Sequence, residues 1–335
     1  MKDACHRDTA PGRRRLVLIA FAALSLGWSG IASAADWSPT KPIRMIVPFA
    51  PGGTTDLIGR IIAAPLGKEL GQQVIVDNRG GAGGVIGMGA VAQAQPDGYT
   101  IGLPAIGAHA SNETLNKALP YDSEKAFQSL MFVGASPLVL LVNASNPANS
   151  LSELLGSAQK TGRPLSFASG GVGLAAHIAG ELLKLRSNAN MIHVAYKGGG
   201  PAMADLMGGQ VDMLFVPIGS ALSHIRGGKL RGVAVASKTR SSKLPDVPTM
   251  QEAGFPDFVM AEAFGFVGPA GLHPDAARTL QMAIGTVLTD SDVLKRLEEQ
   301  GVEPAPAGPE ELHAYIRSEV KKYSEVIAGA GITTQ

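Results

Sequence analysis

The chain has 335 residues, with 29 Lys plus Arg against 28 Asp plus Glu and 45% hydrophobic residues. That near-neutral balance, with no Lys/Arg cluster after Arg15, excludes a polyanion-binding surface and with it nucleic acid as a partner. The single cysteine, Cys5, excludes an internal disulfide framework.

Arg13-Arg14-Arg15 precedes an apolar stretch over 16–32, and Ala32-Ser33-Ala34 puts small residues where a signal peptidase reads. Residues 1–34 are therefore expected to be an export signal cleaved near Ala34, which predicts a periplasmic mature protein without a thiol. Ser25, Gly27, Ser29 and Gly30 interrupt the apolar run and disfavour a permanent membrane span. Arg13-Arg14 leaves the general and twin-arginine export routes both open. Loss of five basic and two acidic residues leaves 24 against 26, a charge of about −2.

The first predicted strand, 43–49, runs into Pro51-Gly52-Gly53-Thr54-Thr55-Asp56 and an amphipathic helix that ends near Leu70. Paired glycines let the backbone approach a ligand, Thr54 or Thr55 is placed to cap the helix, and free amides at its positive end would welcome a carboxylate or phosphate. A plain βα connection would show the same composition. After the next strand, 73–78, comes Asp77-Asn78-Arg79-Gly80-Gly81-Ala82-Gly83-Gly84, which reads either as a second anion site or as close backbone packing. Gly87-Met88-Gly89-Ala90-Val91-Ala92 fits a dinucleotide fingerprint but falls inside the helix predicted to run to about Ala94, so it reads as a chance match.

Further strand signals follow at 99–103, 138–143, 165–168, 191–195, 213–216, 230–236 and 265–268, with helical patterns at 151–161, 175–184, 200–208 and 221–226 between them. This alternation predicts an α/β chain with largely parallel sheets covered by helices, and about 300 mature residues predict two domains. The strand at 165–168 leads into Ser169-Gly170-Gly171-Val172-Gly173 and a helix from Leu174 that carries His177 and Glu181. Two such glycine turns, one in each half, would grip the two ends of a small acid; alternatively Ser169 only caps the helix and His177 only packs. His177 and Glu181 make a poor metal site, and His193 and His224 read as isolated, structural or exposed. Absence of H-E-x-x-H, G-x-S-x-G and Walker A patterns argues against an enzyme, and no cofactor is expected.

The string from Lys41 to Asp56 resembles the opening of the Bug-type receptors, periplasmic solute-binding proteins of the tripartite tricarboxylate transporter (TTT) family. Later landmarks keep that family's order: Val76-Asp77-Asn78-Arg79, Pro96-Asp97-Gly98-Tyr99-Thr100, Leu119-Pro120-Tyr121-Asp122, His193-Val194-Ala195-Tyr196-Lys197-Gly198, Gly208-Gly209-Gln210-Val211-Asp212 and Leu244-Pro245-Asp246-Val247-Pro248-Thr249. The similarity spans 37–332.

The resemblance implies a type II periplasmic-binding-protein fold, two α/β domains joined by two crossover strands with a ligand cleft between them. The crossovers are expected near 138–143 and 265–268. Domain one is then 36–136 plus 260–335, domain two is 137–259, and helices at 275–288, 291–300 and 309–330 pack back onto domain one. It further implies a monomeric receptor for a small organic acid that serves either the membrane subunits of a tripartite transporter or a sensor protein. Carried over by position, the ligand contacts are Phe49, Ala50, Gly53, Thr54, Asp56, Pro104, Ala105 and Ile106 in domain one, and Ser169, Gly170, Gly171, Gly173, Leu174, Ala176 and His177 in domain two. Asp56 is expected to orient its loop or bind water, since two bare anions in contact repel. Leu174 and Ala176 stand where many relatives carry hydroxyls, and Val216 where relatives often carry Asp. These departures imply a more apolar pocket, with the body of the ligand stacked near Phe264.

Overall fold

Apolar, β-branched segments of three to six residues, too short for helices, become the flanking strands of this fold, and the longer amphipathic runs between them become its helices. The computed structural model describes Met1 and residues 37–116 and 118–333. Apart from Met1, the export signal expected over 1–34, with Cys5 and the twin arginines, lies outside the described residues. The first half opens with Ile43–Val47 (β1), Thr54–Leu70 (α1), Val74–Asn78 (β2), Val85–Ala92 (α2), Thr100–Gly102 (β3) and Ile106–Leu115 (α3). Here β1 pairs in parallel with both β2 and β3.

Phe127–Asn143 (β4) is one strand of 17 residues. Then follow Leu151–Thr161 (α4), Leu165–Ser169 (β5), Ala175–Ser187 (α5), Met191–Ala195 (β6), Gly199–Met207 (α6), Met213–Pro217 (β7), Ile218–Arg226 (α7) and Leu230–Val235 (β8). Strand β5 pairs in parallel with β6 and β7. The chain ends through Ala261–Pro269 (β9), Pro274–Val287 (α8), Ser291–Glu299 (α9), Glu303–Ala307 (β10) and Pro309–Ala330 (α10).

Strand order is β2-β1-β3-β9-β4-β7-β5-β6, with β10 and β8 also against β4. The expectation of largely parallel sheets therefore holds on the two flanks and fails in the middle. Strand β4 pairs antiparallel with β9 from Phe127 to Pro137, then antiparallel with β7 and β8 from Leu138 onward. A strand that leaves one half and a strand that returns to it run in opposite directions, so an antiparallel centre follows from the connectivity. Proline explains why β10 escapes a reading for strands: Pro304 and Pro306 have no N–H to donate, and β10 is tolerated because it pairs with β4 alone.

Together the described elements after Asp36 form one mixed α/β unit. Helix α10 serves both halves. Its Leu312 packs with Ile46, Met88 and Val91, whereas Tyr323, Val326 and Ile327 pack with Phe167 and Ile178. Full burial of each such side chain contributes about 1.5–3 kcal/mol, so α10 fixes the frame on which the glycine turns are mounted.

Candidate functional site

Strand β1 delivers the chain to a turn in which Ala50, Gly52 and Gly53 are exposed while Asp56 is only 2% exposed. Oδ2 of Asp56 accepts from the Gly52 N–H at 2.8 Å and from Arg60 Nε at 3.0 Å, and Oδ1 accepts from Asn78 Nδ2 at 3.0 Å. Asn78 Nδ2 also reaches the Phe49 carbonyl at 3.1 Å. Burial pushes the Asp56 carboxyl up, but the hydrogen bonds from Arg60, Gly52 and Asn78 outweigh it and hold the group below the usual carboxylate range. Asp56 thus braces the turn from behind. The expected threonine cap is replaced: Gly53 is the N-cap of α1, with no side-chain cap bond, because Thr54 is already the first helical residue. The first-turn amides of α1 are left free for a ligand.

Asp56→Ala is expected to cost about 1–3 kcal/mol in urea unfolding, because the Gly52 amide, Arg60 and Asn78 lose their common acceptor. Asp56→Asn, which keeps one carbonyl oxygen, should lose less, and hydrogen exchange at Gly52 should quicken in both. Equal stability of the alanine variant would show that Asp56 does not hold the turn.

The second glycine segment packs; it does not open a site. A Cβ on Gly80 would sit 3.1 Å from the Ala50 N, and one on Gly87 would sit 2.6 Å from the Pro48 Cα. Asn112 Nδ2 holds the Gly83 carbonyl at 2.8 Å.

In the second half, Ser169 is fully buried at the end of β5, and its Oγ lies 2.7 Å from His193 Nε2 and accepts from the Gly171 N–H at 3.2 Å. The Gly173 N–H donates to His177 Nδ1 at 3.0 Å. His177 and His193 stack with ring centroids 3.8 Å apart, and Phe167 stacks on His193 at 5.0 Å. His193 is therefore not isolated; adjacent parallel strands bring it beside Ser169, and α5 lays His177 over it. Burial, then the neighbouring His193 and Lys184, pull His177 down to about 3, and burial with Lys184 pulls His193 down to about 4. Both rings are neutral at pH 7, which is what lets His177 Nδ1 accept a hydrogen bond. His177 acts from behind the turn, and its Nε2 lies 3.8 Å from Glu181 Oε1.

Helix α5 begins at N-cap Leu174 without a side-chain cap. Beside it, Gly170 packs on the start of α6, where a Cβ would meet the Gly199 N at 3.0 Å, and the Gly170 carbonyl accepts from the Gly198 N–H at 2.9 Å. Gly198, Gly199 and Gly200 face open space. Sequence reasoning kept this third run only as a landmark. Its signal, glycines at the end of a parallel strand beside the Ser169 turn, was available.

The second turn is held on α3, which the strand and helix signals did not mark. Ser111 Oγ donates to the Gly173 carbonyl, and a Cβ on Gly173 would come within 2.9 Å of Leu115 Cδ1. Phe49 and Leu174 both pack against one large buried cluster that includes Ala105 and Ala108. Half-buried Gly171 and Ala176 and exposed Val172 border Gly173 and Leu174 in sequence. Other expected contacts are not brought there. Phe264 is 0% exposed, bridges Ala105 and gives its ring to the core, so the expected stacking surface at Phe264 is corrected. Val216, 6% exposed, pairs with Val139 and packs with Leu214 and Ile218, again as core. Pro104 and Ile106 are buried and line a separate cavity under α10. Among the described residues no group of three or more His, Cys, Asp or Glu side chains is placed to hold a metal ion.

The family model for the tripartite tricarboxylate transporter family receptor, TctC, matches residues 58–332. Protein BugT of Bordetella pertussis is 37% identical over 317 residues, 94% of this chain and 97% of that protein. The solved structure of the periplasmic binding protein BugD has 34% identity and a TM-score of 0.79, covering 89% of this chain and 100% of that one. Rpa4515 of R. palustris, solved with adipate, has 31% identity and a TM-score of 0.81, covering 89% of this chain and 99% of that one.

Proposed function

Because the chain belongs to the receptor family of the tripartite tricarboxylate transporters, whose members are periplasmic solute-binding proteins, we propose that it captures a small carboxylate-containing metabolite between its two glycine turns and delivers it to a transporter of that type. The observation that carries this reading is a pair of glycine turns, Phe49–Gly53 and Gly170–Leu174, that each lead into a helix without a side-chain cap, while Phe49 and Leu174 pack on one buried cluster. Backbone amides at two helix starts suit a carboxylate, and Rpa4515 holds adipate. Access is by a hinge: residues 36–136 plus 260–335 swing against 137–259 where β4 and β9 cross between the halves, and the ligand favours the closed state through contacts to both. Leu174 and Phe49, both packed on one apolar cluster, favour an acid with an apolar body over one as polar as citrate.

The test is a thermal-shift screen of the purified protein, freed of copurified ligand by denaturation and refolding, against mono-, di- and tricarboxylates and their neutral amides. A ligand at 100 times its Kd should add about 2.7 kcal/mol of stability. Stabilisation by acids and not amides is the expected result; amides that stabilise equally, or no acid that stabilises at all, would overturn it.

A further inference from the structure

A cavity of about 360 Å³ lies between α3, α10 and the start of β4, and no residue from 49–56 or 169–174 lines it. Met88, Phe127, Val267 and Ile316 give it an apolar lining, interrupted by Ser123, Ser129 and Ser324. Into it faces His109, 6% exposed, stacked on Tyr121 at 6.5 Å and edge-on to Phe127 at 5.3 Å. His109 Nδ1 has no hydrogen-bond partner, and neither has the buried Ser123 Oγ beside it. Burial pulls His109 down to about 4, while a hydrogen bond to the Ser123 backbone pulls the other way. The ring is therefore neutral, its bound nitrogen donates to the Ser123 carbonyl, and Nδ1 is a bare lone pair in apolar surroundings. Such an acceptor costs free energy until a donor fills it.

The mouth is charged on both sides. His313, Arg317 and Lys321 recur every four residues along α10 and make a basic wall; Glu113 of α3 and Glu124 make an acidic one. Among the described residues, Arg317, Lys321, Glu113 and Glu124 form no ion pair. Burial and then the like charges of Glu124 and Asp122 push the Glu113 carboxyl up. Two unpaired charged walls, with His109 Nδ1 and Ser123 Oγ unpartnered between them, point to the occupant's chemistry. We propose that this cavity is a second small-molecule site, which takes a zwitterion whose apolar body carries a hydroxyl, of which L-tyrosine is the simplest form. The carboxylate meets Arg317 and Lys321, the ammonium meets Glu113 and Glu124, and the hydroxyl donates to His109 Nδ1. The opposite face of α3 carries Ser111 and Leu115 onto Gly173, so one helix borders both sites.

The experiment is a ligand-observed NMR titration of the purified protein with L-tyrosine, L-phenylalanine, tyramine and 3-(4-hydroxyphenyl)propionate. Tyrosine should bind at least about tenfold tighter than each of the three, which lack in turn the hydroxyl, the carboxylate and the ammonium. Glu113→Gln and Arg317→Ala, at exposed positions, should each weaken tyrosine by about tenfold, as should His109→Phe if it folds. Failure of tyrosine to bind, phenylalanine binding as tightly, or both surface variants binding as the parent does would overturn the proposal. Carboxylate stabilisation through the glycine turns should persist in Arg317→Ala, which separates the two readings. Tyrosine displaced by a carboxylate that occupies the turns would place it there and equally overturn the second site.

Discussion

Gly87→Ala is expected to lower the free energy of unfolding by about 3 kcal/mol, at the upper end of what overpacking costs. The added Cβ would lie 2.6 Å from the Pro48 Cα and 2.7 Å from the Arg79 carbonyl oxygen. Both obstacles are backbone, so neither can rotate aside as the end of a side chain could, and α2 or the strand end at Pro48 must shift. Because Pro48 leads directly into Phe49–Gly53, the displacement is delivered to the first glycine turn. Stabilisation by a carboxylate ligand should therefore fall along with intrinsic stability. Gly156→Ala is the control: it lies inside α4, its Cβ would meet nothing within 4 Å, and it should gain about 0.5–1 kcal/mol. Urea unfolding of both variants checks the pair. A Gly87→Ala midpoint equal to the parent's would mean that α2 does not press on Pro48.

What the sequence made legible was whatever rests on local pattern. Strand β6 over Met191–Ala195 and helix α4 over Leu151–Thr161 have the bounds that hydrophobic periodicity predicts, and helix α10 over Pro309–Ala330 has those that the family resemblance implied. The TTT-type order of motifs fixed the family before any fold was in view, and the comparisons agree with it. What escaped depends on partners remote in sequence. The first part of β4 hides because Ser129, Gly134, Ser136 and Pro137 break its apolar run, and only pairing with β9 makes it a strand. Helix α3 hides because Gly107, Ala108 and Ala110 are small and look like more glycine-turn material. No periodicity shows that Ser111 will reach Gly173 or that His177 will stack on His193. Glycine composition likewise did not separate a turn that faces open space, as at Gly52, from one filled by neighbouring backbone, as at Gly80.

The stacked histidines should make the protein lose stability with falling pH over a defined window. Their folded values, about 3 for His177 and about 4 for His193, lie below the ordinary 6.5 of an unfolded histidine. Between those limits the unfolded chain holds protons that the folded chain refuses. The stabilising contribution is therefore complete above about pH 6.5 and drains away as pH falls toward the folded values. Each ring gives a slope of at most about 1.4 kcal/mol per pH unit, and solvent screening reduces the share of the partly exposed His193. Glu181, on the same helix as His177, works in the opposite sense. Burial raises its carboxyl despite Lys184, so its contribution is full below the ordinary 4.5 and lost as pH rises, which opposes the histidine effect above that value. His177→Phe isolates the term. Phenylalanine keeps the stack with Phe167 and His193 but leaves the Gly173 amide without its acceptor, a loss of about 1–3 kcal/mol that is the same at every pH. The expected result is a variant less stable at neutral pH whose stability falls less steeply than the parent's between about pH 6.5 and 4.5, measured by urea unfolding. Parallel curves would remove His177 as the group that resists protonation. The same proton would also reach the site, because a charged His177 has no lone pair for the Gly173 amide and the turn that carries Leu174 loses its brace. Carboxylate affinity should accordingly weaken through the window in which stability falls, and in His177→Phe it should be low at neutral pH and nearly flat below it.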